Sequence, residues 1–92
     1  MNKSDIMDYK EKYDSLIDYR RANPLPLEQY GENHHIIPKS IRPDLAKDKS
    51  NIVRLSASEH FKAHYWLFRY YKEIGDVQSM RKMAYALHRM KA

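Results

Sequence analysis

The chain has 92 residues, a formal net charge of +5 and no cysteine. A chain this short forms a single domain, residues 1–92, and no disulfide or thiolate metal site supports its small core. The positive charge favours a polyanionic partner, nucleic acid before an anionic membrane surface. No apolar run approaches about 18 residues, and the N-terminus lacks the apolar segment of a signal peptide. We therefore expect a cytoplasmic protein with no membrane span and no signal peptide.

The first predicted element is a helix over residues 4–22. Ser4 can cap its N-terminus, and Asp5 lies in the first turn, where a carboxylate is favoured. Apolar residues recur at helical spacing and form one stripe, which consists of Ile6, Tyr9, Tyr13, Leu16 and Ile17. The helix is expected to end before Pro24, because the residue preceding a proline disfavours the helical conformation.

Two short strands are predicted next, over residues 33–37 and 51–55. The first strand stops at Pro38, because proline cannot donate to a strand ladder. The second strand is rich in β-branched residues and partly alternates between apolar and polar positions. The segment between them, residues 39–50, is polar and has no periodicity. The two strands therefore predict a hairpin with a wide loop.

Two helices complete the predicted order. Ser56 and Glu59 have the spacing of a capping box, which starts a helix over residues 57–74. Gly75 supplies the stop that commonly ends a helix, and a last helix follows over residues 77–90. The predicted order is helix, strand, strand, helix, helix, and the fold class is therefore α+β.

Four of the five histidines fall in two clusters, the dipeptide His34-His35 and the pair His60 and His64. Histidines at i and i+4 on a helix share one face, about 5–6 Å apart at Cβ, and can reach one metal ion. The alternative is structural, because Leu67 continues the same face and the pair can simply flank the core. The dipeptide on a strand, an asparagine opening the next strand and the pair on a capped helix together favour a metal site.

This arrangement resembles the HNH motif of the ββα-metal (His-Me finger) endonucleases, in particular the small phage and mobile-intron members. The residues that carry the resemblance are 32–38, 51–55 and 59–64, and the helical segment 82–87 also resembles the family. The resemblance implies a ββα-metal finger, a short hairpin plus a helix, flanked by an N-terminal and a C-terminal helix. It also implies a phage-encoded or bacterial protein that hydrolyses DNA phosphodiester bonds.

The resemblance implies a metal site of three histidines, His34, His60 and His64, in which His60 is either the third ligand or a phosphate contact. Glu32 would hold one of these imidazoles from behind. One divalent ion is expected as cofactor, and imidazole ligands favour zinc or another transition ion over magnesium. Magnesium or manganese can still support activity when substrate oxygens join the ligands.

The catalytic roles implied by the resemblance fall on His35 and Asn51. His35 would be the general base that activates water, and Asn51 would tie the loop so that a main-chain carbonyl orients the His35 imidazole. The basic residues near the motif, Lys39, Arg54 and Lys62, are candidates for phosphate contacts. The expected partner is DNA, above all double-stranded DNA, and a homodimer would suit cutting of both strands.

Three features of the sequence do not fit this interpretation directly, and one alternative function remains open. Residues 41–44 replace a Gly-Gly turn that many relatives have, and no counterpart of a separate DNA-reading module is visible. Adjacent strand residues point to opposite faces, so His34 and His35 are not expected to meet at one phosphate unless the strand ends there. The alternative function is a catalytically inactive nucleic-acid-binding or adaptor module with a structural metal site.

Overall fold

A computed structural model describes residues 3–90, with side chains from residue 8 onwards. The elements in chain order are α1 (Lys3–Ala22), β1 (Glu32–His35), β2 (Ile52–Leu55), α2 (Ala57–Ile74) and α3 (Val77–Met90). The fold is α+β, with a two-stranded antiparallel hairpin and its following helix flanked by one helix at each end. The predicted cap Ser4 and first-turn Asp5 have side chains outside the described part of the chain.

The hairpin is shorter than the sequence predicts, and its first strand begins one residue earlier. β1 pairs with β2 in antiparallel register, with His34 opposite Val53 and His35 opposite Ile52. The prediction that the first strand runs to residue 37 is wrong because Asn51 takes over the pairing beyond His35. Its main-chain carbonyl accepts from the Ile36 amide, and its side-chain Oδ1 accepts from the Ile37 amide. Asn51 itself ends a 3-10 turn, Lys49–Asn51, so the second strand starts at Ile52.

Helix α2 starts and stops where local chemistry satisfies its free backbone groups. Ser56 Oγ accepts from the Glu59 amide at 3.1 Å, and the Glu59 carboxylate accepts from the Ser56 amide at 3.0 Å. This capping box is the one predicted from the sequence. At the other end Gly75 has φ of 81°, a left-handed conformation that costs glycine little. The capping box fixes the residue at which α2 begins, and thereby the position along the helix from which the histidine pair faces the hairpin.

The core lies between the hairpin and the three helices. Its buried apolar side chains come from β2 and from all three helices, and they are Tyr13, Ile17, Val53, Leu55, Ala63, Leu67 and Met83. α1 is also held to α2 by Arg20, whose guanidinium donates to both oxygens of Glu59 at 2.9–3.1 Å. Within residues 3–90, no helix is long and apolar enough to cross a membrane.

Candidate metal centre and active site

Three histidines converge between the hairpin and α2. β1 supplies His34, and α2 supplies His60 and His64 one turn apart. The ring centroids lie 5.2 Å apart for His34 and His60, 5.1 Å for His34 and His64, and 5.0 Å for His60 and His64. One nitrogen from each ring lies within 4.8 Å of the other two. The sequence names these same three residues as metal ligands, and the fold brings them together.

His34 is the most deeply buried of the three, with 1% of its surface exposed. Its Nε2 lies 2.7 Å from the Tyr13 hydroxyl, which also lies 2.7 Å from the Ile36 carbonyl oxygen. A carbonyl can only accept, so the single hydroxyl proton of Tyr13 goes to Ile36, and the hydroxyl must accept from His34 Nε2–H. This relay leaves the lone pair of His34 on Nδ1. That atom is buried and has no hydrogen-bond partner among the described residues.

The ionisation of Tyr13 and His34 agrees with this relay. Burial, with the charge of Tyr71 next in importance, raises the pKa of Tyr13 well above its ordinary value, so the hydroxyl keeps its proton. Burial, and then the neighbouring histidine charges beginning with that of His64, lowers the pKa of His34 to about 3. The His34 imidazole is therefore uncharged at neutral pH, which is the form that binds a metal ion.

His60 is oriented by Glu32, whose Oε1 lies 2.8 Å from His60 Nδ1. The hydroxyl of Tyr30 donates to the other oxygen of the same carboxylate. Hydrogen bonds from Tyr30, and then from His60, lower the pKa of Glu32, so the carboxylate is ionised and can only accept. His60 Nδ1 is therefore the protonated nitrogen, and Nε2 carries the lone pair. Carboxylates commonly hold metal-binding imidazoles in this way.

His64 is the third member, and burial followed by the charge of His60 lowers its pKa to about 4. Its Nδ1 is buried without a hydrogen-bond partner in the described residues, as is that of His34. An unpartnered buried polar atom costs about 1–3 kcal/mol. Two such ring nitrogens, in uncharged imidazoles that face one another, fit a metal ion. Nitrogens around one tetrahedral zinc ion lie about 3.4 Å apart, so the three rings are close to a ligand set.

His35 lies at the end of β1 and lines the same cleft as His60 and His64. Its Nε2 lies 2.9 Å from the Ala46 carbonyl oxygen, which can only accept, so Nε2 is protonated and Nδ1 carries the lone pair. Strand alternation alone would separate His35 from His34. The strand stops at His35 and the chain bends at residues 36–37, so His35 reaches the cleft while His34 stays buried beside it.

Asn51 closes the base of the inter-strand loop. Its amide Nδ2 donates to the carbonyls of Ile37 at 3.0 Å and Leu45 at 3.4 Å, and its Oδ1 accepts from the Ile37 amide. Only 6% of Asn51 is exposed, so these bonds are shielded from water. Leu45 directly precedes Ala46, whose carbonyl accepts from His35. Asn51 therefore holds the chain segment that carries the partner of the His35 imidazole.

Two of the three predicted phosphate contacts do not lie at the site. The guanidinium of Arg54 donates to the main-chain carbonyls of Leu25, Pro26 and Gln29, so it fastens the linker after α1. Lys62 lies two residues from His60 and two from His64, about 200° around α2 from each, and its exposed side chain is on the opposite side of the helix. Lys39 alone of the three lines the cleft.

The cleft beside the histidines has a volume of about 610 Å³, and α3 forms one of its walls. The α3 residues that line it are Arg81, Lys82, Met83, Tyr85 and Ala86. From the sequence, no residue of α3 is assigned to the site, and this wall is therefore missed. The sequence carries little sign of this wall, because the contact between α3 and the hairpin loop is long-range. That contact includes a hydrogen bond that Lys82 Nζ donates to the Ser40 carbonyl at 2.9 Å.

Comparisons with known proteins point in one direction. The chain is 43% identical over 65 residues to the probable mobile endonuclease E of Enterobacteria phage T4, and the aligned region covers 71% of this chain and 44% of that protein. It is 37% identical over 83 residues to the probable mobile endonuclease B of the same phage, and that aligned region covers 87% of this chain and 31% of that protein. The chain thus spans less than half the length of these relatives. No family model and no solved structure matches. The chain is similar to phage proteins named as mobile endonucleases.

Proposed function

We propose that the chain is a metal-dependent DNA endonuclease with an HNH-type site. The observation that carries this proposal is the position of His35, a fourth imidazole that lines the cleft beside the histidine cluster. A purely structural metal site has no use for it. Three similar proteins named as mobile endonucleases support the same reaction class.

The residues divide into a metal-holding set and a proton-accepting set. His34, His60 and His64 would hold one divalent ion, and Glu32 would fix the His60 ring. When bound, such an ion supplies charge stabilisation at the phosphate and at the leaving oxygen. Three imidazoles favour zinc or another transition ion, although magnesium or manganese can join through substrate oxygens.

His35 would act as the general base. With Nε2–H committed to the Ala46 carbonyl, Nδ1 accepts a proton from a water molecule as the water oxygen bonds to phosphorus. The phosphorus–oxygen bond on the far side then breaks, and the strand is cut. The Ala46 carbonyl stabilises the charged imidazole that forms, and Asn51 keeps the segment carrying that carbonyl in place. Lys39 is the remaining candidate for a phosphate contact.

Nicking of supercoiled plasmid DNA tests the proposal. The purified protein is incubated with Mg²⁺, Mn²⁺, Ni²⁺ or Zn²⁺, beside a sample with EDTA, and compared with His35→Ala and His88→Ala. His88 is exposed and lies outside the histidine cluster, so His88→Ala controls for the loss of an imidazole. We expect metal-dependent nicking that His35→Ala loses and His88→Ala keeps, with zinc binding unchanged in both.

Two outcomes would contradict the proposal. Undiminished nicking by His35→Ala would remove the base from His35. A wild-type protein that binds zinc and DNA but cuts under no ion would instead be the nucleic-acid-binding or adaptor module that the sequence leaves open.

A further inference from the structure

The cleft beside the histidines has a lining that is cationic and aromatic at once. Its basic side chains are Lys39, Arg81 and Lys82, and no carboxylate lines the cleft within residues 3–90. Lys82 is tied to the Ser40 carbonyl, whereas Arg81 is exposed and its side chain makes no hydrogen bond or ion pair with any other described residue. A positive side chain of this kind, in a cleft without negative charge, suits an anion such as a phosphate group.

Tyr85 lies one helical turn after Arg81 in the same wall, and 63% of its surface is exposed. Its hydroxyl accepts from Arg89 at 3.2 Å, and the Arg89 guanidinium lies 5.9 Å from the ring centroid. The ring is therefore held by its own helix while much of it stays open to solvent. Pro38, Met83 and Ala86 make the adjoining surface apolar. An exposed aromatic ring on an apolar surface beside cations is the arrangement on which single-stranded nucleic acids stack.

The cationic side chains and the aromatic ring of this cleft together favour one kind of ligand. A phosphate alone would use Arg81 and Lys39 but not the ring, and an apolar ligand would leave the cations without a partner. A nucleotide supplies a phosphate and a flat base, and the volume of about 610 Å³ lies within the range of pockets that hold molecules of that size. A base in an intact duplex has both faces covered by its neighbours, so it must be unpaired to reach Tyr85.

We propose that this cleft binds one unpaired nucleotide of the DNA strand next to the cleaved phosphate. Tyr85 stacks on the base, and Arg81 and Lys39 contact the flanking phosphates. The inference rests on the proposed endonuclease function, because it assigns the cleft to the substrate of that reaction. It adds a strand-positioning role for α3, which lies outside the hairpin and helix of the histidine site. DNA whose strands are opened or frayed is therefore the preferred substrate.

The test measures binding of fluorescently labelled single-stranded and duplex DNA by anisotropy. All proteins carry His35→Ala and are loaded with zinc, and a gel after each titration confirms that the DNA is intact. Tyr85→Leu removes the aromatic face and should weaken single-strand binding about fivefold to a hundredfold. Tyr85→Phe keeps that face and should bind as the parent does. Because Tyr85 is mostly exposed, neither change should shift the melting temperature.

The cationic half is tested by Arg81→Gln against Lys62→Gln, two changes that remove one charge each. Lys62 lies on the far side of α2, so it controls for the loss of net charge. Arg81→Gln should weaken single-strand binding and lower the slope of log affinity against log salt by about 0.7, the value for one phosphate contact. Lys62→Gln should leave both within twofold of the parent.

Either of two results would overturn the inference. One is equal binding by Tyr85→Leu and the parent, and the other is an equal loss in Arg81→Gln and Lys62→Gln. These results are separate from the plasmid assay. A wild-type protein that cuts while Tyr85→Leu binds normally retains the endonuclease function and loses the nucleotide site. A protein that never cuts but shows the expected binding pattern retains the nucleotide site alone.

Discussion

Removal of the Tyr13 hydroxyl is the most direct perturbation of the histidine cluster that leaves all its histidines in place. In Tyr13→Phe, His34 Nε2–H and the Ile36 carbonyl both lose a partner at 2.7 Å. A buried group left without its hydrogen bond costs about 1–3 kcal/mol. His34 is 1% exposed and Ile36 is half-buried, so most of that cost falls on His34. We expect the free energy of unfolding to fall by about 1–3 kcal/mol.

The larger effect should be on metal binding. Without the hydroxyl, nothing holds the proton on Nε2, and the Nδ1–H form of His34 becomes accessible, which has no lone pair to offer at Nδ1. Loss of a partner behind a metal ligand typically weakens metal binding about 10–100-fold, and we expect that range for Zn²⁺. Competition with a chromophoric chelator measures the affinity, and ¹⁵N NMR of the imidazole nitrogens reports which one carries the proton.

Tyr71→Phe is the matched control, because Tyr71 packs against the core and its hydroxyl makes no hydrogen bond with another described residue. It should lose neither Zn²⁺ affinity nor the Nε2–H form of His34. The reasoning would be refuted by wild-type protein whose His34 carries its proton on Nδ1. It would equally be refuted if folded Tyr13→Phe bound Zn²⁺ within twofold of wild type.

Three further predictions concern folding. First, the metal-free protein should lose stability in acid, because His34 and His64 have native pKa values of about 3 and about 4 against an ordinary 6.5. The contribution of these two histidines to the free energy of unfolding should be complete above about pH 6.5. Below that pH it should fall by about 1.4 kcal/mol per pH unit for each histidine, until the pH reaches the pKa of that histidine in the native protein. Urea titrations in which the free energy of unfolding does not change between pH 6 and 4 would contradict this. Second, Gly31→Ala places a Cβ 2.7 Å from Arg54 Nε, in a guanidinium fixed by three carbonyls. It should cost about 1–3 kcal/mol in urea unfolding, and much less when Arg54→Ala is already present; an equal loss in both backgrounds would exclude the clash. Third, Glu59→Ala removes the return bond of the capping box and the Arg20 ion pair together, and should lower the unfolding free energy by about 1–2 kcal/mol. Glu59→Gln keeps an acceptor for both and should lose less, and the order of the two thermal midpoints checks it.

The parts of this fold that depend on local chemistry are readable from the sequence. Ser56, Glu59 and Gly75 fix both ends of α2 through bonds between near neighbours, so its observed bounds, Ala57–Ile74, are those predicted. The positions of His60 and His64 on one face then follow from helical spacing. Their approach to His34 depends on contacts between distant segments of the chain. Only the resemblance of the whole motif predicts it.

The parts that depend on distant contacts were missed. Tyr13 lies 21 residues before His34, and its spacing on α1 marks it only as core. The sequence predicts a phosphate contact for Arg54, whose acceptors in the structure are carbonyls of an irregular linker. The pattern of charges along a sequence cannot show such acceptors. The early end of β1 has the same origin, since a side-chain amide, that of Asn51, replaces a strand partner. Backbone acceptors carry no signature in the residue types that surround them.

Among the residues with described side chains, His34 and Leu55 are the largest that have almost no exposed surface, so the candidate metal centre and the hydrophobic core share the same interior. In this small domain, selection for folding and selection for the proposed function therefore act on the same position in opposite directions. A leucine in place of His34 would remove a buried nitrogen that has no hydrogen-bond partner among the described residues, but it would also remove the proposed ligand. If the proposed endonuclease function is right, copies of the gene that are released from it should drift towards apolar residues at this position while they keep the fold.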